Sequence, residues 1–142
     1  MKDRFNPSEF LPYLLNQAAE RTSVDFQKVY KSRYGMLRTE WRVMFHLGHY
    51  GAMTAREVCD RSGLHKTKVS RAVRALEGRR FLGRETLKAD RRNELLSLTK
   101  PGQAAYNDLL TVAERHHAML VADLSKEACA ALISTLQRLS MP

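Results

Sequence analysis

Thiols are scarce in this chain: of 142 residues only Cys59 and Cys129 carry one, and no Cys-x-x-Cys pair occurs. That excludes a disulfide framework and a zinc ribbon and fits a reducing compartment. Long apolar runs are missing too. Nothing approaches the ~18 consecutive apolar residues of a membrane span, and the opening MKDRFNPSEFLPYLL, broken by Asp3 and Glu9, has no apolar stretch of signal-peptide length. The expected location is the cytoplasm. No Gly-rich phosphate loop, Ser-His-Asp ordering or carboxylate pair stands out. An enzyme is therefore not expected, and no cofactor either. With no repeat and no low-complexity linker, residues 1–142 read as one domain, long enough to bury a core without staples.

Acid is the remaining shortage. Lys plus Arg number 24 against 15 Asp plus Glu, a formal +9, and such a surface suits a polyanion. The excess is concentrated: residues 54–92 hold 12 Lys/Arg and 5 Asp/Glu, which leaves +7 of the +9 in little more than a quarter of the chain. The histidines do not add a metal site. His46 and His49 share a helix face at i, i+3 with no third ligand at suitable spacing, and the adjacent His116 and His117 point about 100° apart on a helix.

Periodicity places these charges. Residues 8 to 32 read as a long helix with Ser8 as N-cap, Pro12 in the first turn, and Leu11, Leu14, Leu15, Ala18 and Ala19 at helical spacing. Gly35 interrupts it, and Thr39 is the expected cap of a second helix reaching His49, with Gly48 and Gly51 marking its end. The tetrapeptide 54-TARE-57 is a capping box. It opens a short helix to Arg61, and the turn Ser62-Gly63-Leu64 leads to another helix from Lys66. Two short helices around a glycine turn form a helix-turn-helix pattern.

On the second of these helices Ala72, Val73 and Leu76 fall within about 60° of Val69, one core stripe. Thr67, Arg71 and Arg74 lie opposite, with Ser70 beside them and Lys66 and Lys68 on the flanks. A solvated basic face is the ordinary account of such charges; as the second helix of a helix-turn-helix, the same face is the one that enters a DNA major groove. Phe81–Leu87 and Glu94–Leu98 alternate as two short strands around a tip at residues 88–93. Thr99 then caps a long helix with Pro101 in its first turn, and Ser125 opens a last helix with the stripe Ala128, Leu132, Leu136 and Leu139. In so short a chain the terminal helices bury one another fully only if a second copy contributes.

From Leu37-Arg38-Thr39-Glu40-Trp41 through Ser62–Arg71 and Leu76-Glu77 to 90-DRRNELLSLTKPG-102, the chain resembles the MarR (multiple antibiotic resistance regulator) type of winged helix-turn-helix transcription regulator. The last segment fits that family's wing, Asp-x-Arg, an apolar strand, then Leu-Thr-x-x-Gly. The resemblance implies a mainly α fold with a small β-hairpin wing. It implies a homodimer with interlocking terminal helices, residues 1–36 and 101–142 dimerising and 37–99 forming the DNA-binding lobe. It also implies repression of an operator until a small ligand or an oxidant intervenes.

Arg92 would then enter a minor groove, with Asp90 orienting a neighbouring arginine and Arg91 counted among the DNA-binding residues; the plain alternative is a solvated hairpin tip. The family's peroxide-sensing branch uses a cysteine near the N-terminus, and none stands there. The family's glycine two residues after Gly78 is replaced by Arg80. Two outcomes are open: Gly78 ends the helix early, or Arg80 takes the left-handed conformation at about 1 kcal/mol relative to glycine. Tyr30, Tyr34, Trp41, Arg42 and His46 form an aromatic and basic cluster at the lobe junction, either plain core or a site for a small aromatic effector. A regulator with no ligand, constitutive or architectural, stays open beside the ligand-released and redox-responsive readings.

Overall fold

The computed structural model describes residues 4–142, and at residues 90–92 the backbone alone. The order is α1 (Leu11–Tyr34), α2 (Arg38–Tyr50), β1 (Met53–Thr54), α3 (Ala55–Ser62), α4 (Lys66–Gly78), β2 (Leu82–Leu87), β3 (Asp90–Leu98), α5 (Lys100–Leu120) and α6 (Lys126–Leu139). The three strands form an antiparallel sheet in the order β1-β3-β2.

The first helix starts later than its periodicity suggests. Ser8 is not its cap. It lies in a single 3-10 turn, Pro7–Glu9, where the Asn6 carboxamide accepts the Ser8 N–H at 3.0 Å, and α1 begins only at Leu11, with Pro12 near its start, where a missing N–H costs nothing. Its far end is Gly35, left-handed at φ 66, whose N–H donates to the Lys31 carbonyl at 2.8 Å. Thr39 is likewise not a cap. The second helix starts at Arg38, and the Glu40 carboxylate reaches back to accept the Leu37 N–H at 2.7 Å. The buried carboxylate thus satisfies the orphan N–H of the residue before the helix, the reach-back arm of a capping box. Gly48 does not end the helix: a Cβ there would come within 2.6 Å of the Tyr106 ring, so this glycine lets α5 approach α2, and the helix ends at Gly51.

Thr54 caps α3 as expected, accepting the Glu57 N–H at 3.2 Å; the reciprocal arm differs, since Glu57 accepts the Thr54 hydroxyl at 3.3 Å and not the backbone N–H of a residue already held in β1. Thr99 accepts the Gly102 N–H at 3.1 Å and Ser125 the Ala128 N–H at 3.1 Å, both as expected. The wing tip is shorter than expected, a turn at Lys88 and Ala89, because β3 already begins at Asp90. Ladder hydrogen bonds need no apolar alternation, so the polar start of β3 was invisible to a periodicity argument.

Arg80 settles its own question. It adopts φ 63 at the C′ position of α4, with its N–H donating to the Glu77 carbonyl and the Phe81 N–H to the Leu76 carbonyl, both at 2.9 Å, a Schellman closure built without glycine. Its carbonyl accepts the Thr99 hydroxyl at 2.6 Å, which helps hold the strained residue. Gly78 therefore does not end the helix early.

One core joins the helix-turn-helix and its sheet to the helices on either side. Val69, Ala72, Val73 and Leu76 of α4 are buried with Met44 of α2 and Leu96 of β3, and Tyr30 from α1 and Leu109 from α5 belong to the same cluster. The ends of the chain are different. No described residue of α6 is buried, Leu132 being 47% and Leu139 53% exposed, and Leu11 on α1 is 58% exposed.

Candidate nucleic-acid interface

The helix-turn-helix is shaped by short-range hydrogen bonds. Gly63 is left-handed at φ 71, with its N–H on the Cys59 carbonyl at 2.9 Å, and the Ser62 hydroxyl accepts the Leu64 N–H at 3.1 Å. His65 caps α4 through its ring, Nδ1 accepting the Thr67 N–H at 3.2 Å. Sequence reasoning missed that cap because histidine is not among the usual capping residues. Across the turn, Arg42 of α2 donates from Nη2 to the Ser62 carbonyl at 3.0 Å, a long-range tether with no sequence signal.

With the apolar stripe of α4 turned inward, Lys66, Thr67, Lys68, Ser70, Arg71 and Arg74 are all exposed. The wing stem is held against this helix. Arg84 of β2 donates from Nε to Glu77 at 2.8 Å and from Nη1 to Glu94 of β3 at 3.1 Å, binding the end of α4 to both strands. Between α3, α4 and the wing lies a cleft of about 300 Å³ with Arg56, Ser70, Arg74 and Arg84 on its walls. The side chains of Asp90, Arg91 and Arg92 lie outside the described residues; their backbone opens β3.

The five residues of the aromatic and basic cluster part company. Tyr30, Trp41 and Arg42 line a cavity of about 250 Å³, completed by Phe26, Arg38 and His116 among others. The Tyr30 and Trp41 rings stack at 6.0 Å and 17°, and Phe26 meets each edge-on. Burial, then the neighbouring Arg38, lower the pKa of Arg42 from its ordinary value, as expected where two cations share a wall.

Tyr34 lies elsewhere: its hydroxyl donates to Asp108 at 2.6 Å beside two Arg33 hydrogen bonds of 3.0 Å, tying α1 to α5. Burial and then that hydrogen bond raise the Tyr34 pKa. His46 pairs with the Arg42 carbonyl at 2.7 Å and is not among the residues lining the cavity. His116, which donates from Nε2 to the Thr22 carbonyl at 2.6 Å, reaches the cavity from α5 and had no local signal; Arg38, one turn from Trp41 and Arg42 on α2, could have been found by helical spacing.

Among the described residues no three His, Cys, Asp or Glu side chains gather closely enough to hold a metal ion. Cys59 and Cys129 are free and half-buried. No described helix is long and apolar enough to cross a membrane.

Residues 34–93 match the model of the MarR family. Over 126 residues the chain is 24% identical to YwaE, an uncharacterised HTH-type transcriptional regulator of Bacillus subtilis (strain 168), covering 89% of this chain and 74% of that protein. The fold superposes on that of Bordetella bronchiseptica BpsR, whose DNA binding is regulated by 6-hydroxynicotinic acid, with a TM-score of 0.87 at 23% identity over 99% of both chains. It also superposes on a cysteine mutant of E. coli MarR complexed with operator DNA, with a TM-score of 0.85 at 19% identity over 99% of this chain and 100% of the other. The match to the MarR family model thus falls on residues 34–93, the helix-turn-helix and most of its wing, and the whole chain shares the winged-helix fold of these solved structures.

Proposed function

We propose that this chain is a MarR-family transcription regulator that acts in the cytoplasm as a homodimeric repressor of a pseudo-palindromic double-stranded operator and leaves the DNA when a small aromatic carboxylate binds. The observation that carries the DNA half is the exposed row Lys66, Thr67, Lys68, Ser70, Arg71 and Arg74, backed by a fully buried stripe on the same helix. In this reading α4 enters the major groove and the wing, with Asp90, Arg91 and Arg92 at the start of β3, lies over the adjacent minor groove. Residues 37–99 form the DNA-binding lobe and residues 1–36 and 101–142 the dimerisation helices, whose exposed leucines a second copy covers.

Alanine at Arg71 or Arg74, at the centre of the exposed face, is expected to relax base preference at one operator position each, at about 1–3 kcal/mol. Lys66→Ala and Lys68→Ala, on the flanks, weaken specific and random duplexes alike. Fluorescence anisotropy on both duplexes checks this. Equal losses on the two DNAs for all four variants would remove α4 as the reading helix.

The effector half rests on the cavity of Tyr30, Trp41, Arg38 and Arg42, whose aromatic walls suit a planar ring and whose guanidiniums suit a carboxylate. BpsR, regulated by such an acid, lends support. A carboxylate engaging Arg42 competes for the guanidinium that holds the Ser62 carbonyl, which offers a route from the cavity to the helix-turn-helix. Arg38→Met removes one cation and spares that tether. Calorimetry with 6-hydroxynicotinate and benzoate is expected to show at least about tenfold weaker binding to the variant, the size of a lost charged hydrogen bond. Unchanged affinity in Arg38→Met would move the acid out of this cavity.

A further inference from the structure

The end of the recognition helix is clamped to the junction of the two helices that precede the helix-turn-helix. Arg79, the residue after α4, donates from Nε to Glu40 Oε1 at 3.4 Å and from Nη2 to the Gly35 carbonyl at 2.6 Å. The Glu40 side chain is only 4% exposed, and its other oxygen already accepts the Leu37 N–H at 2.7 Å. Gly35 is the left-handed end of α1; a Cβ there would stand 3.0 Å from Arg79 Nη1, so the guanidinium lies close against this residue. One side chain thus joins the end of α1, the start of α2 and the end of α4.

From this geometry we infer that Arg79, held by Glu40, is a positioning residue that sets the angle of the recognition helix to α1 and thereby the half-site spacing the protein accepts. The inference rests on the reading that two copies hold two half-sites. From one helix pair to another, crossing angles scatter by about 15–20° around the packing classes, so ridge-into-groove packing by itself does not dictate a single angle. The buried stripe of α4 is such a contact, and non-directional. Hydrogen bonds to a guanidinium are directional, and Arg79 places them at the end of α4 opposite Lys66. At 13 residues α4 is about 20 Å long. A tilt of about 5° about the clamp moves Lys66 by roughly 2 Å, and two subunits together shift the reading helices by about one base-pair rise of 3.4 Å.

The test begins by recovering the duplex preferred by the wild-type protein from random DNA, then varies its half-site separation by one base pair in each direction. Wild type is expected to favour its own spacing by about tenfold or more, each mismatch of register costing what a lost base contact costs. Arg79→Gln and Glu40→Gln should each flatten that preference to within about threefold, while affinity for a random duplex stays within about twofold. Arg79→Lys restores it only in part, since one ammonium cannot present the guanidinium fork. Thermal midpoints accompany each variant, and Arg79→Gln, altering a side chain that is 35% exposed, keeps the test open if Glu40→Gln fails to fold. An Arg79→Gln protein with the wild-type spacing ratio overturns the clamp as a spacing device. A wild-type protein with no spacing preference defeats the two-half-site reading itself, and the inference with it.

Discussion

The double substitution Leu132→Asp with Leu136→Asp is expected to abolish operator binding, with affinity lower by more than about a thousandfold and the protein monomeric or unfolded. In a single chain α6 has no buried described residue, Leu132 is 47% exposed and Leu136 half-buried. Leaving such leucines in water forgoes about 1.5–3 kcal/mol for each that could be fully buried. A second copy is the occupant we propose. Two aspartates placed there would bury unpaired carboxylates, at several kcal/mol per ion after relaxation. The effect on DNA is multiplied because a lone subunit can hold only one half-site and loses the effective concentration that its partner supplied. Obligate dimers often lack a stable monomer, so circular dichroism accompanies sedimentation and anisotropy. A variant that sediments as a folded dimer, or a wild-type protein that is a folded monomer at micromolar concentration, would sink this interface.

Gly102→Ala is expected to be among the most destabilising single-atom additions in the chain. The added Cβ would stand 2.0 Å from the Phe81 carbonyl oxygen and 2.8 Å from its carbon, and both are backbone atoms. Phe81 cannot yield cheaply. Its carbonyl accepts the Thr99 N–H at 3.0 Å, its N–H closes α4, and it follows Arg80, already at φ 63. Overpacking of this kind costs about 3 kcal/mol or more, which at this chain length is a drop of roughly 10 °C in Tm.

Two other glycines calibrate the measurement, because nothing lies within 4 Å of a Cβ at either. Gly63→Ala meets only the penalty of its left-handed backbone, about 1 kcal/mol. Gly78→Ala, at the end of α4, is expected to be neutral or to stabilise by up to about 1 kcal/mol through helix propensity. Thermal melts at one protein concentration rank the three. A Gly102→Ala protein that melts with Gly78→Ala would mean that α5 does not dock against the segment between α4 and β2.

Gly102 also shows where sequence reading stops. Its place in Leu-Thr-x-x-Gly was visible as a pattern, yet the reason, a backbone passing where its side chain would be, belongs to contact with Phe81, twenty-one residues earlier. The caps at Thr54, Thr99 and Ser125 were legible because each is a hydrogen bond spanning three residues. The buried stripe and basic face of α4 were legible because helical period alone sorts them. Ser8 and Thr39 misled for the converse reason: a good capping residue stood near each helix start, but Asn6 made a separate turn, and the second helix opened one residue before Thr39 with Glu40 reaching back to the Leu37 N–H.

Of the five cavity candidates, Tyr30, Trp41 and Arg42 share one space and Tyr34 and His46 do not, since ring and charge composition carries no direction. The two-residue strand β1 was too short to have a period at all. By itself, then, the sequence determined the helices, their inward faces, the turn and the concentration of positive charge, all set by interactions within about one or two helical turns. Only the tertiary structure decided that Arg80 would bear a left-handed backbone, that Arg42 would hold the Ser62 carbonyl, that His116 would close the cavity, and that Arg79 would bind Glu40 and Gly35. Each of these is a directional contact between elements distant in sequence, fixed by where packing brings their ends.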